Sequence, residues 1–279
     1  MIVDAHQHFW TLSRGDYPWP NASVAPIYKD FGPTDLAPLL QTAGVNKTVI
    51  VQATDTVAET DFILEIAEKT DWVAGVVGWV DLSAEDAIEI IDKLGCNPAL
   101  KGLRPMLQNV EDTNWILQDK VQPALVHMGE VGLCFDALIQ PRHLAAIHKV
   151  AMRHPDLKIV VDHVAKPAMG DGQRPDPAWL SGMTKLAEMP NVHCKLSGMV
   201  TEIGPDWQFA DLAPFAEHVL ARFGPEKTIF GSDWPVVTLA SSYKIWRQTV
   251  DRLLSDYTET ERAQIMGGNA MSFYNLSTA

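Results

Sequence analysis

The feature that most constrains the fold is a regular alternation of short apolar runs with amphipathic helical patterns over the whole chain of 279 residues. The apolar runs are rich in Val, Ile and Leu and lack a clean polar alternation, which is typical of parallel strands covered on both faces. In residues 36–43 apolar side chains recur at helical spacing, and Gly44 follows where a helix commonly ends. The eight strand-like runs lie at 2–6, 47–52, 73–80, 100–104, 131–138, 158–163, 192–197 and 228–234.

Eight strand–helix units in a chain of this length match a (β/α)8 barrel, which typically takes about 250 residues. The alternative is a doubly wound open sheet, which would usually show a glycine-rich phosphate turn after its first strand. Here the first strand runs into His-Gln-His instead. Because no linker or internal repeat divides the chain, we predict an α/β fold with one TIM barrel domain over residues 1–279.

The segment 9–32 is too long for an ordinary loop between a strand and a helix. It holds three Pro, two Trp, two Tyr and two Phe. Loops of this length inside compact domains are commonly functional lids or ordered flaps, and a packed surface excursion is the alternative. We therefore predict a long ordered loop after strand one.

The charge balance narrows the classes of partner. Lys and Arg number 22 against 35 Asp and Glu, which gives a net charge of −13. A strongly negative surface repels phosphate backbones and anionic lipid, so we expect neither nucleic acid nor a membrane as partner, whereas a small substrate is compatible. Three cysteines without a CxxC pair fit a reducing compartment, and the start MIVDAHQHFW shows no secretory leader, so the expected location is the cytoplasm.

Histidines and an aspartate end three of the predicted strands. Residues i and i+2 of a strand project on the same side, so His6 and His8 should converge on one point, as metal ligation requires. His163 ends the sixth strand and Asp233 the eighth, at the end of a barrel where catalytic groups lie. Because barrel closure makes strands one and eight neighbours, Asp233 should lie near both histidines and could take a proton from water. The alternatives are a structural role for His163 and a helix N-cap for Asp233.

Other polar and aromatic residues fall at or near the same strand ends. Arg104 and Lys195 are cations on strands four and seven; such a position is costly unless it faces polar groups, so both are predicted to face the substrate, with a structural ion pair as the alternative for Lys195. Asp162 should point away from His163, which indicates a supporting role. The remaining predicted contacts to a polar, ring-shaped substrate are Gln52, Trp79, Gln108, Trp234 and, in the long loop, Trp10.

Six segments taken together resemble one known family. They are DAHQHFW, GLRPMLQ, VDHVAKP, NVHCKLSGMVTE, IFGSDWPV and GGNAMSFY, and they span nearly the whole chain. With the barrel count they resemble the amidohydrolase superfamily and, within it, the amidohydrolase-2 branch that holds the L-fucono- and L-rhamnono-lactonases and the pyrone-dicarboxylate lactonases. Their joint occurrence in this order is specific, whereas no single segment is.

The resemblance implies a pocket at the carboxyl end of the barrel strands. It implies that Asp233 is the general base toward water, and that the three strand-end histidines either bind a divalent metal or contact the substrate carbonyl directly. Arg104 and Lys195 would then contact lactone oxygens or carboxylates.

The chain departs from the binuclear members of that superfamily. Those members carry a Lys or Glu on strand four and a further His on strand five, where this chain has Arg104 and Asp136. We therefore predict at most one divalent ion, with Zn²⁺ as the natural candidate, and leave open whether turnover needs it. The predicted ligands are His6, His8, His163 and Asp233.

These observations predict a hydrolase that opens a sugar-acid lactone of the L-fucono-, L-galactono- or L-rhamnono- class to the free aldonic acid. Water would attack the ester carbonyl, and no GxSxG motif supports a covalent serine route. A metal-dependent non-oxidative decarboxylase of the same superfamily is one alternative. A non-catalytic barrel that binds sugar acids is another, and association into a homo-oligomer stays open.

Overall fold

The computed structural model describes residues 1–277. In them eight parallel strands form one sheet in chain order, each paired with the next along the sequence. The strands are β1 (Val3–Gln7), β2 (Lys47–Val51), β3 (Val73–Gly78), β4 (Leu100–Leu103), β5 (Cys134–Ala137), β6 (Ile159–Val161), β7 (Val192–Leu196) and β8 (Thr228–Phe230). This order confirms the predicted (β/α)8 barrel, while residues 278 and 279, the end of the predicted domain, lie outside the described residues.

The barrel closes between β1 and the residues that follow β8. The Asp233 N–H donates to the His6 carbonyl at 2.8 Å, and the His8 N–H donates to the Trp234 carbonyl at 2.7 Å. Gln7 and Trp234 form an isolated parallel bridge between these two bonds. Residues more than two hundred positions apart in the sequence are therefore held in fixed register by backbone hydrogen bonds.

Helices alternate with the strands and cover the barrel. They are α1 (Pro33–Ala43), α2 (Val57–Glu68), α3 (Ala87–Gly95), α4 (Gln122–Glu130), α5 (Leu144–Arg153), α6 (Pro177–Glu188), α7 (Met199–Ile203), α8 (Phe209–Lys227), α9 (Tyr243–Leu253), α10 (Glu259–Ala263) and α11 (Asn269–Phe273). Gly44 ends α1 in the left-handed conformation, and Thr258 with Glu261 forms a capping box on α10. None of the helices in the described part of the chain has the length and apolar character that a membrane crossing needs.

Two strands end earlier than their apolar runs predict, and both end beside the residues of chemical interest. β6 stops at Val161 because residues 163–166 take positive φ angles. β8 stops at Phe230, since Asp233 has a φ of 59° and the residues after the strand meet β1 only through single backbone hydrogen bonds at Asp233 and Trp234. Apolar composition predicts that a strand exists, but it does not show where the backbone changes to the left-handed conformation and the strand ends.

The C-terminal segment fills the amino-terminal end of the barrel. Phe273 and Tyr274 pack in one buried cluster with strand side chains such as Val49 and Val160. Lys158, just before β6, donates to the Phe273 carbonyl at 3.2 Å. Solvent therefore reaches the polar strand ends from the carboxyl side, where TIM barrels hold their sites.

The long loop after β1 is ordered, as predicted. Trp10 and Phe31 form an antiparallel bridge at its base, with N–H···O distances of 3.1 and 3.0 Å. The indole of Trp10 also donates to the Lys29 carbonyl at 2.7 Å. Trp10 and Ile27 are fully buried, so the loop carries a small apolar core of its own.

Candidate active site

Three histidines meet one aspartate at the carboxyl end of the strands. The Nε2 atoms of His8, His6 and His163 lie 3.3, 3.7 and 3.9 Å from the same carboxylate oxygen, Oδ1 of Asp233. All four side chains are buried. The geometry brings the predicted residues together, and it turns the Asp233 carboxylate toward the imidazoles rather than toward a helix start.

Unusual backbone conformations present two of these side chains. His163, Val164, Ala165 and Lys166 have φ angles of 51, 49, 63 and 47°, and Asp233 has one of 59°. The left-handed region is costly for residues with a Cβ, and most of all for β-branched Val164. Strain of this kind clusters at functional sites, where the surrounding fold holds it in place.

Two glycines let the backbone approach the histidines closely. A Cβ on Gly198 would lie 2.4 Å from Nδ1 of His163, and one on Gly231 would lie 2.7 Å from Cβ of His6. Both distances are too short for real atoms, so glycine is needed at each position to keep the ring where it is.

Hydrogen bonds behind the rings set their orientation. Nδ1 of His8 lies 2.7 Å from the Val51 carbonyl, and Nδ1 of His163 lies 2.9 Å from Oγ of Ser197. A carbonyl oxygen only accepts, so Nδ1 of His8 donates and its Nε2, when the ring is neutral, offers a lone pair toward Asp233. A lone pair facing a carboxylate oxygen is unfavourable unless a proton, a water or a cation lies between them.

Burial and neighbouring charge shift the pKa values in opposite directions. Burial lowers the pKa of His163 to about 4 and that of His6 well below its ordinary value. Burial alone would raise the pKa of Asp233, but the neighbouring imidazoles of His163 and His8 outweigh it and hold that pKa below its ordinary value. At neutral pH Asp233 is ionised beside neutral imidazoles of His6 and His163.

Lys195 lies beneath this group instead of at the substrate-facing position predicted for it. It is fully buried, and its Nζ lies 2.5 Å from Oδ2 of Asp136 and 3.1 Å from Oδ1 of Asp162. Burial lowers the Lys195 pKa, and the two carboxylates outweigh that effect and raise it above its ordinary value. The ion pair considered as the alternative is thus what the fold contains.

Asp162 also differs from its prediction, because it points to the same side as His163. Asp162 continues the alternation of β6 and lies on the inner side with Val160, 3.3 Å from Nδ1 of His6 and 3.5 Å from Arg104. The left-handed backbone at His163 turns that histidine to the same side. Its supporting role is consistent with these contacts. Lys195 and His6 hold the pKa of Asp162 well below its ordinary value against the opposing effect of burial.

Arg104 reaches the cavity wall, and Gln52 holds it there. Oε1 of Gln52 accepts from Nε and Nη2 of Arg104 at 3.1 and 2.7 Å, and Nε2 of Gln52 donates to the Arg104 carbonyl at 3.1 Å. Gln52 is fully buried, and both ends of its side-chain amide bond to Arg104. Of these two residues predicted to contact the substrate, Arg104 lines the cavity and Gln52 lies behind it.

The predicted aromatic contacts lie behind the wall. Trp234 packs against Phe9 and Phe31, with ring centroids 6.0 and 5.2 Å away, and Trp10 packs against Trp19 at 5.9 Å. Trp79 is half-buried away from the cavity. Among described residues, the tryptophan on the wall is Trp19, which the sequence pattern did not single out from the rest of the long loop.

The cavity in front of the group has a volume of about 390 Å³, within the range of small-molecule sites. His8, His163, Asp233 and Arg104 reach it from the strand ends. Residues of the loops and of α7 supply the rest of the polar lining, which comprises Thr54, Asp55, Gln108, Asn109, Lys166, Thr201 and Glu202. Apolar surface comes largely from Pro18, Trp19, Val24, Met106, Leu138, Val236 and Leu239.

The sequence did not predict three charged residues of the wall: Asp55, Lys166 and Glu202. Nζ of Lys166 lies 2.9 Å from Oε1 of Glu202, and both side chains are partly exposed at the cavity mouth. Both stand inside quoted segments, VDHVAKP and NVHCKLSGMVTE. They follow the strand ends by several residues, so strand parity carried no information about them.

The donor set fits a divalent metal ion. Ligand atoms of His6, His8 and Asp233 lie within 4.8 Å of one another, and so do those of His6, Asp162 and His163. Imidazole and carboxylate are ligands that zinc takes, and a cation is one of the groups that would fit between the His8 lone pair and Asp233. One feature opposes binding: Nη1 of Arg104 lies 3.4 Å from Nε2 of His6, so a guanidinium cation competes for the same nitrogen.

Comparison with known proteins agrees with this geometry. The chain is 44% identical over 281 residues to an L-fucono-1,5-lactonase of Burkholderia ambifaria, covering 98% of this chain and 95% of that protein. It is 34% identical over 286 residues to an L-fucono-1,5-lactonase of Burkholderia multivorans, covering 98% and 96%. A crystal structure of an amidohydrolase from Burkholderia multivorans with bound zinc superposes with a TM-score of 0.92 at 32% identity, covering 99% of this chain and all of that one.

The family comparison covers nearly the whole barrel. A model of the family described as amidohydrolase matches residues 3–276, which include every residue of the histidine and aspartate group. The resemblance seen in the six sequence segments is thereby confirmed. The chain belongs to the amidohydrolase-2 family.

Proposed function

We propose that this protein hydrolyses the 1,5-lactone of a six-carbon sugar acid, of the L-fucono-lactone class, to the free aldonic acid. The observation that carries the proposal is the ionised Asp233 carboxylate, which faces three imidazoles at the floor of a cavity of about 390 Å³. The 44% identity to an L-fucono-1,5-lactonase supports the substrate class.

The lactone carbonyl would lie against Arg104 and the strand-end imidazoles. Arg104 is held rigidly by Gln52, so its guanidinium is oriented before the substrate arrives. A preoriented cation and N–H donors stabilise the negative oxygen that forms when water attacks the carbonyl carbon. The neutral imidazoles of His6 and His163 add no charge that would repel Arg104.

Asp233 would take the proton from the attacking water and return it to the ring oxygen as the C–O bond breaks. The carboxylate is ionised at neutral pH, and its Oδ1 is the atom on which the histidines converge. The same group thus acts first as base and then as acid, and one water is consumed for each lactone opened.

A divalent ion, when bound by His6, His8 and Asp233, with His163 as a further donor, would supply Lewis-acid polarisation of the carbonyl and a lower pKa for water. We propose a single ion, with Zn²⁺ as the candidate. Arg104 beside His6 makes its binding weak, because two positive groups then share one nitrogen.

The mouth of the cavity would bind the sugar hydroxyls. Lys166 and Glu202 form an ion pair there that can donate to and accept from neighbouring hydroxyl groups. Trp19 offers an aromatic surface to the apolar face of the ring. A substrate without hydroxyl groups, such as a simple ester, would make no use of the ion pair.

The experiment is a pH-indicator assay against fucono-, galactono-, rhamnono- and xylono-lactones, with the acid product quantified. One proton and one aldonic acid per turnover are expected, with L-fucono-1,5-lactone among the better substrates. Asp233→Asn is the matched variant and should lower kcat by about 10²–10⁴-fold at unchanged thermal stability. Near wild-type kcat in that variant would overturn the base assignment, and CO₂ release from a hydroxybenzoate without lactone turnover would favour the decarboxylase.

A further inference from the structure

We propose that Glu59 is a positioning residue that holds the long loop 9–32 against the turn after β2 and thereby sets two walls of the substrate cavity. The kinetic part of the test rests on the proposed lactonase function. The structural part does not.

Glu59 is a fully buried carboxylate in the first turn of α2, and the described structure gives it three donors. Its Oε2 accepts from the Tyr17 hydroxyl at 2.6 Å and from Nη1 of Arg14 at 2.8 Å. Its Oε1 accepts from the Ala53 N–H at 3.0 Å. One side chain therefore joins two segments that are distant in sequence.

The local sequence would lead one to expect a different use of this carboxylate. Thr56 and Glu59 have capping-box spacing, in which the glutamate turns back to the N–H of the threonine. Thr56 does cap the helix, since its Oγ1 accepts from the Glu59 N–H at 3.0 Å. The Glu59 carboxylate is turned outward from the helix start to the loop instead.

Both segments joined by Glu59 continue directly into the cavity wall. Tyr17 is followed by Pro18 and Trp19, and Ala53 is itself on the wall together with the next two residues. The link is closed by the Thr54 hydroxyl, which donates to the Asp16 carbonyl at 3.1 Å. A shift of the carboxylate would therefore be transmitted to both sides of the mouth.

Arg14 supplies the positive charge beside Glu59. It pairs with Glu59 and, through Nη2, with Asp16 at 2.6 Å, and its guanidinium lies 4.2 Å from the centroid of the Phe62 ring. The carboxylate accepts from donors through both of its oxygens, and Glu59→Gln leaves only one acceptor oxygen, so either Arg14 with Tyr17 or the Ala53 N–H loses its acceptor. The base of the loop has a separate anchor in the bridge between Trp10 and Phe31.

Because the loop is held at two separate places, by Glu59 and by the bridge between Trp10 and Phe31, Glu59→Gln should affect only one of them. Residues 12–19 and 53–56 should loosen, while residues near Phe31 keep their hydrogen bonds. Because none of these residues touches the reacting atoms, KM for the sugar lactone should rise about tenfold while kcat stays within about twofold, as for loss of uniform binding. Tyr17→Phe removes one hydroxyl and should raise KM about threefold.

The matched control is Asn191→Ala. Nδ2 of Asn191 donates to the carbonyls of Ala151, His154 and Leu157 at the opposite end of the barrel, so its loss destabilises the fold without touching the cavity. KM, kcat, melting temperature and amide hydrogen exchange would be measured for wild type, both loop variants and the control. Faster exchange in 12–19 and 53–56 with a raised KM in the loop variants, and an unchanged KM in the control, would support the proposal.

Two outcomes would overturn it. The first is that both Tyr17→Phe and Glu59→Gln have the same hydrogen exchange and the same KM as wild type. The second is that Asn191→Ala, at the same loss of melting temperature, raises KM as much as Glu59→Gln does. Should Glu59→Gln fail to fold, Tyr17→Phe decides alone, since it removes only an oxygen. A wild type that opens no lactone refutes the proposed function, while the exchange measurements still decide the role of Glu59.

Discussion

Gly198 lies directly against the ring of His163: a Cβ at position 198 would be 2.4 Å from the Nδ1 atom of that histidine. The distance leaves no room for a methyl group, and the ring it would displace is one of the three that face Asp233. The position of the His163 ring in the site therefore depends on the absence of a side chain at residue 198.

Gly198→Ala should therefore displace His163 and lower kcat by about 10–100-fold, with a loss of stability from its φ of 68°. Gly132→Ala is the matched control, because Gly132 has a similar φ of 77° and nothing within 4 Å of an added Cβ. Steady-state kinetics and urea unfolding of both variants check this. An equal loss of kcat in the control would show that backbone strain, and not the contact with His163, is responsible.

The sequence carried enough information for the barrel and for the residues that end its strands. His6 and His8 were predictable because strand alternation and barrel closure are general geometric rules, and Asp233 because strands one and eight must meet. These rules do not reach Lys195. Its position on a strand indicated an inward side chain, but whether an inward cation meets a substrate or a carboxylate depends on Asp136 and Asp162, which come from other strands.

Loop residues were beyond the reach of such rules. Trp19 and Lys166 line the cavity through irregular backbone, where no period relates residue number to direction. Glu202 lines it from α7, a helix of five residues that the sequence pattern did not predict. Asp162 illustrates the same limit, because the left-handed backbone that begins at His163 places that histidine on the same side as Asp162, where alternation predicts opposite sides. The sequence predicted the residues at the floor of the site, but not which loop residues line its wall.

Lys195→Met should act on stability rather than on substrate binding. It leaves Asp136 and Asp162 buried without their shared cation, and loss of one partner of a buried ion pair commonly costs about 3–5 kcal/mol. KM measured on the folded fraction should stay near that of wild type, because Lys195 is not among the described residues that line the cavity. Urea unfolding with parallel kinetics checks both statements, and a raised KM at unchanged free energy of unfolding would restore the substrate-contact role.

Arg104→Met should strengthen zinc binding while it weakens catalysis. Nη1 of Arg104 lies 3.4 Å from Nε2 of His6, so removing its charge frees that nitrogen and removes a repulsion of about 1–2 kcal/mol, or roughly tenfold in affinity. Titration with a competing chelator, followed by elemental analysis, measures the effect. His8→Ala is the opposing control, since it removes a ligand and should weaken binding. Equal affinity in wild type and Arg104→Met would mean that the guanidinium does not limit metal binding.

His193 provides a pH dependence of stability that is separate from the site. It lies on β7 with its ring centroid 4.8 Å from that of Phe273, and burial, with Lys227 and Lys158 nearby, lowers its pKa from 6.5 to about 4. Between these values the unfolded chain binds the proton and the folded chain does not, so the free energy of unfolding falls as the pH falls from 6.5 toward 4. The contribution of this one group is up to about 3 kcal/mol. Between pH 6.5 and pH 4.5, His193→Leu should therefore lose less free energy of unfolding in urea than wild type does. Equal losses in both proteins would mean that a group other than His193 takes up the proton.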